Sequence, residues 1–223
     1  MNNELMKCLE DFQRKQPELL SFDVDTRIDK LGKEFEEIAR QLLYGGCFVV
    51  YSGDKEFRRV YLHTVEFYYH EEAGDLKDYI VYHKHKRKNQ EVIREVDYFT
   101  LGTLNAHQSG IDITFESDAG QYRASALVRA FMVKENGTKR VDRRSTYLYD
   151  ELFTNVPMPI KVEWKPETQQ GPVHQGYRVN VFMYDPDTLD KDGNPAKNEK
   201  CPDKKPWAFS RDEFLPKYRI VRD

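Results

Sequence analysis

At 223 residues the chain is long enough to close a hydrophobic core of its own as one generous domain. Its 35 basic and 38 acidic residues leave a net charge of −3 and a pI near 6.1, which counts against a nucleic-acid binder of the usual basic kind. A mean hydropathy of −0.79, 33% charged residues and no apolar run near the ~20 residues that span a bilayer predict a soluble protein with no membrane partner.

The first fifteen residues are charged and helical in spacing, without the apolar stretch or cleavage site of a signal peptide. Helices are predicted over 4–15 and 29–43. In the second, Leu31, Phe35, Ile38, Ala39, Leu42 and Leu43 recur at threes and fours and give one apolar face. Asp25 and Thr26 offer its N-cap, and Gly45 with Gly46 its stop. Strand signals then take over, at 46–52, 57–69, 95–100, 110–115, 122–131, 161–164, 178–182 and 218–222, with a short helix at 145–153. A turn at 117–120 joins two strands as a hairpin, and the basic segment 84–89 (KHKRKN) makes a loop. Residues 185–206 hold four of the ten prolines in a polar, turn-rich stretch that reads as a loop or insertion. No repeat or linker divides the chain. The expected fold is a single α+β domain over 1–223, with helices in 1–45 and a mainly antiparallel, barrel-like sheet in 46–182.

Cys8, Cys47 and Cys201 are odd in number and far apart, which points to a reducing compartment, taken as the cytoplasm, and none has metal-ligand spacing. An acidic stretch near Asp190 mimics a Ca²⁺ loop, but Gly193 is out of place and Cys201 stands where a glutamate is needed, so it reads as a turn. His83 and His85, with His70, Glu71 and Glu72 nearby in sequence, lack a properly spaced third ligand. No metal and no cofactor is expected. Nucleophile-elbow, P-loop, dinucleotide and zincin motifs are absent, and Cys47 sits mid-strand as a core residue.

One residue stands out. Glu66 lies in TVEFYYHEE, a run that otherwise reads as a buried strand. Alternation puts Val65, Phe67 and Tyr69 on one face and Glu66, Tyr68 and His70 on the other. By alternation alone the second face is a solvated polar side, with Glu66 in a surface ion pair. The same three side chains also describe a base beside aromatic surfaces, able to activate water next to a planar ligand.

From Phe35 to Phe131 the order of elements resembles the alkyladenine (3-methyladenine) DNA glycosylases. The matching pieces are IARQLLYGG (38–46), the strand to Tyr51, TVEFYY (64–69), LGT (101–103) and ALVRAF (126–131). YRVNV (177–181) and KPWAF (205–209) are similar to two later segments of that family. VEFYYHEE, His83, GIDITFE (110–116) and LVRAF also resemble a closer set of uncharacterised glycosylase-like proteins.

The resemblance implies a mixed α/β fold with an antiparallel sheet and monofunctional base excision. Glu66 would match the glutamate that activates the hydrolytic water, and Arg129 the arginine that orients it. Tyr68 would match a tyrosine stacking on the flipped base, with His83 as a pocket histidine. Lys84, Lys86, Arg87 and Lys88, and likewise Lys139, Arg140, Arg143 and Arg144, are candidates for phosphate contacts with DNA, although solvated loops explain them equally. The family inserts an aromatic from a hairpin into the DNA stack, whereas LNAHQSGID (104–112) has none. Three readings follow: an N-glycosyl hydrolase acting on alkylated purines, a non-catalytic nucleobase- or planar-ligand-binding module on the same fold, and a purely structural Glu66–Arg129 pair.

Overall fold

The computed structural model describes residues 3–78, 80–81, 97–179, 181–189 and 195–212. The first helix, α1, runs over Asn3–Leu19, a turn longer than expected, with Pro17 in its last turn. Leu5, Leu9, Phe12, Gln16 and Leu19 recur on one side and are all buried. The second helix, α2, occupies Val24–Tyr44 and begins a turn before the expected cap. Asp23 takes the capping role: its carboxylate accepts from the Thr26 amide at 2.9 Å and the Thr26 hydroxyl at 2.7 Å. The six apolar residues expected on its inner face are buried there.

The strands are β1 (Gly46–Ser52), β2 (Lys55–Glu71), β3 (Leu104–His107), β4 (Gly110–Thr114), β5 (Tyr122–Glu135), β6 (Thr138–Asp142), β7 (Ile160–Pro166), β8 (His174–Gly176), β9 (Phe182–Leu189), β10 (Pro195–Pro202) and β11 (Ala208–Ser210). Nine of them form one antiparallel sheet that curls into a half-barrel, in the order β3-β4-β5-β2-β1-β7 with β6, β8 and β11 attached. The architecture is mixed α+β. A third, short helix, α3 (Tyr147–Tyr149), runs on into a wider π-type turn, Asp150–Thr154.

β2 is the spine. β5 pairs along it from Arg59 to Glu71, while β1 takes its first half and β11 a stretch of its second half. Its register with β5 slips around His63, an irregularity of the kind that bends a strand. Helix α2 packs on one face of this sheet. Phe35 stacks on Phe67 with ring centroids 4.7 Å apart and meets Trp207 edge-on at 5.1 Å. Phe12 of α1 meets Phe115 and Tyr122 edge-on in the same core.

Several expectations need correction. Residues 97–100 are not strand; the strand entering the hairpin to β4 is β3, one turn later. Arg178 and Val179 are irregular backbone, because Arg178 turns inward to ion pairs instead of joining a ladder. The stretch 185–206 is largely a separate two-stranded ladder of β9 and β10. Its register breaks in the interval containing Pro186, which has no N–H to give. The turn at 117–120 does join β4 to β5. Residues 84–89 and 218–222 lie outside the described residues.

Candidate functional site

Because partners across an antiparallel ladder share a face, the registers line up one row of side chains. Asn105 pairs with Asp112, Asp112 with Leu127, Leu127 with Glu66, and Glu66 with Ala208. The neighbouring row holds Thr114, Ser125 and Tyr68. These residues occupy the face turned away from α2, where alternation put the polar side.

That face is not solvated, and here the surface reading of Glu66 fails. Glu66 is 1% exposed. The Val179 backbone lies against its carboxylate, and the neighbouring Arg178 anchors that segment. The Arg178 guanidinium is wholly buried, ion-paired to Asp78 and Asp203, and donates to the Phe67 carbonyl at 3.2 Å. It also lies over the rings of Tyr68 and Trp207, 4.9 and 5.4 Å from their centroids. Burial would favour a neutral Asp203, but Arg178 and then Lys205 pull its carboxyl below the ordinary range.

The Glu66 carboxylate is held from three sides. Oε1 accepts from the Val179 amide at 2.9 Å, and Oε2 accepts from the Tyr68 hydroxyl at 2.9 Å. The Arg129 Nε is 3.5 Å from Oε2. Burial, reinforced by the Glu66 charge, pushes the Tyr68 phenol well above its usual pKa, so Tyr68 stays a donor.

Against this cluster lies a cavity of about 510 Å³, within the ~300–1,000 Å³ typical of small-molecule sites. Tyr68, Leu127, Arg129, Val179, His107 and Asp112 are among its walls. Glu66 itself stands behind Tyr68 and Arg129 and is not in the wall.

The sequence reading thus brought together Glu66, Tyr68 and Arg129, and the fold does the same. His83, Lys84, Lys86, Arg87 and Lys88 lie outside the described residues. In the second basic group, Arg140 pairs with Glu151 at 2.5 Å and Arg144 with Asp142 at 2.6 Å, so those two are engaged internally. Of the acids once set beside a metal, Glu71 is committed to Arg27, at 2.6 Å, and no group able to hold a metal occurs among the described residues. Cys47 is buried, and burial with Glu167 beside it raises its thiol to about 11, against a nucleophilic role at neutral pH.

Sequence reasoning missed His107 and Asp112. His107 Nδ1 accepts from the Ser109 amide at 3.3 Å, so in the neutral ring Nε2 carries the proton, 3.2 Å from Asp112 Oδ2. The signal was available in GIDITFE, where alternation puts Asp112, Thr114 and Glu116 on one side. Val179 and Arg178 carried no such signal, since their roles come from irregular backbone.

Compared with known proteins, the chain matches no family model, no curated protein and no solved structure. Its class is therefore defined by the fold and the site alone: an α+β half-barrel with a buried carboxylate behind a partly open cavity walled in part by Tyr68.

Proposed function

We propose that this chain is a glycosylase-like hydrolase of N-glycosidic bonds, with the cavity receiving the nucleobase and alkylated purines in DNA as the substrate class. The observation that supports the reading best is Glu66 itself. It is a fully buried carboxylate, fixed by an amide, a phenol and a guanidinium, immediately behind the wall of a cavity of ligand size. A carboxylate has about four acceptor positions, so these contacts leave capacity for a water.

In the proposed step Glu66 takes a proton from that water as its oxygen attacks C1′ of the sugar. The C1′–N bond breaks, and the base departs with the bonding electrons. Arg129 orients the carboxylate, and Tyr68 supplies the aromatic wall. Binding to DNA would rest on basic residues such as Lys139 and Arg143 on the β6–α3 segment. This segment abuts the cavity hairpin, with the Ser145 hydroxyl donating to the Ser109 carbonyl at 2.6 Å.

The test is base release from alkylated duplex DNA, alkylated single strands and alkylated nucleosides, followed by mass spectrometry. Release by the native protein and its loss in Glu66→Gln are expected. No release from any of the three would sink the hydrolase reading.

A second reading, a nucleobase-binding module without turnover, is favoured by one observation. Both Glu66 oxygens are occupied, and the residue is absent from the cavity wall. Under it the native protein binds nucleosides saturably and leaves the glycosidic bond intact.

A further inference from the structure

The cavity wall holds a carboxylate of its own, Asp112, that neither the Glu66 chemistry nor the packing accounts for. Asp112 is 3% exposed and lies in the cavity wall. Its carboxylate makes no hydrogen bond among the described residues: Oδ2 lies 3.2 Å from His107 Nε2 without forming one, and Oδ1 is buried with no hydrogen-bond partner. A buried carboxylate oxygen left unpaired is costly, and such a group in a native fold calls for an explanation.

With Nδ1 accepting from the Ser109 amide, His107 turns an N–H, not an acceptor, toward Asp112. The Asp112 carboxylate thus stands, with no hydrogen bond of its own among the described residues, in a cavity wall otherwise built in part by Leu127, Val179, Val181 and Ile80. Arg129, in another wall, is 3.5 Å from Glu66, and Lys197 is a second cation of the lining. The cavity therefore combines apolar side chains and the Tyr68 ring with a carboxylate that makes no hydrogen bond among the described residues. Such a lining suits a planar heterocycle that brings an N–H donor on its edge, and it disfavours one whose edge carries acceptors alone.

We propose that Asp112 is the specificity-determining residue of this cavity, accepting a hydrogen bond through its carboxylate from an exocyclic amino group of the bound base. The inference rests on the nucleobase reading of the cavity, and it stands whether or not the bond is then cleaved.

Matched ligands test it. Purine riboside has no N–H donor on its base, whereas adenosine and 2-aminopurine riboside each add one amino group to the same ring. Their affinities for the full chain are measured by titration followed by NMR at up to millimolar ligand. At least one amino nucleoside is expected to bind about tenfold to a hundredfold more tightly than purine riboside, the range for a hydrogen bond to a charged group. In Asp112→Asn an NH₂ replaces one of the two acceptor oxygens, so the ligand's amino group meets a donor in place of a carboxylate oxygen. The preference should then fall below about threefold or reverse.

Equal binding of all three by the native protein overturns the proposal while leaving the nucleobase cavity standing. So does a preference that survives unchanged in a folded Asp112→Asn protein. Binding of none of the three overturns both this inference and the reading beneath it. The native comparison needs no variant, so a misfolded Asp112→Asn protein would not shield the proposal.

Discussion

Replacing Glu66 by Gln separates the catalytic from the structural account of this residue, because the two predict different ratios of lost activity to lost stability. The amide keeps an oxygen for the Val179 N–H but removes the charge that Arg129 faces and sets an NH₂ near Arg129 or the Tyr68 hydroxyl. Breaking a fully buried ion pair costs about 3–5 kcal/mol. Arg129, however, is 20% exposed and opens onto the cavity, so its guanidinium can be hydrated once the carboxylate is gone. The cost is then nearer that of one compromised buried hydrogen bond to a charged group, about 1–3 kcal/mol. For a chain of this size each kcal/mol moves Tm by roughly 2–4 °C, so a fall of about 2–12 °C is expected by calorimetry. Base release should meanwhile fall by at least about a hundredfold, the lower end for removing a general base. Release from alkylated DNA within a few-fold of the native rate would refute the role of Glu66 as base. Unchanged release together with a Tm loss well beyond that range would mark the pair as purely structural.

Three further outcomes follow from the frame that holds the site. Arg178→Met removes the cation between Asp78 and Asp203 and leaves two buried carboxylates without it, a loss of about 3–5 kcal/mol that should lower Tm by on the order of 10 °C. Tm unmoved by more than a degree or two would show that the fold does not depend on the Arg178 ion pairs. Because Arg178 and Lys205 lower the folded pKa of Asp203 below its unfolded value of 3.8, its contribution to stability is present above that pH and lost as pH falls through the folded pKa. Denaturant unfolding from pH 6 to pH 2.5 should show this acid-dependent loss, and a Asp203→Asn protein should show a shallower one; equal slopes would contradict the assignment. Gly137→Ala should cost about 1–2 kcal/mol, since the residue has φ of +78° while its added Cβ would meet no neighbouring atom. A neutral result in urea unfolding would mean that the turn relaxes at no cost.

Legibility in the sequence tracked how local each signal was. The apolar face of α2 was readable because Leu31 to Leu43 repeats with the helix period, β1 from its strand-sized apolar run, and the strand around Glu66 from alternation. β6 was not identified, although Asn136 and Gly137, with φ of +48° and +78°, form the Asn-Gly turn that announces a hairpin. β9 and β10 were hidden by composition. Their prolines and charges resemble a loop, and they pair with each other outside the main sheet.

The candidate site shows where local reading stops. Alternation correctly placed Glu66 and Tyr68 on one face and left open what lies over that face, which depends on contacts a hundred positions or more away. Val179 reaches Glu66 across 113 residues, and Arg178 reaches Asp78 across 100. Those contacts turn a polar strand face into a buried one, and with it a surface glutamate into an enclosed carboxylate. Asp112 enters the same row through two further registers, β4 with β5 and β5 with β2, each of which would move it to the opposite face if slipped by one residue. A buried acid facing a cavity is therefore a property of the ladder as a whole. The most informative residues for function here are the ones whose local sequence looks ordinary and whose burial, in the folded sheet, is costly.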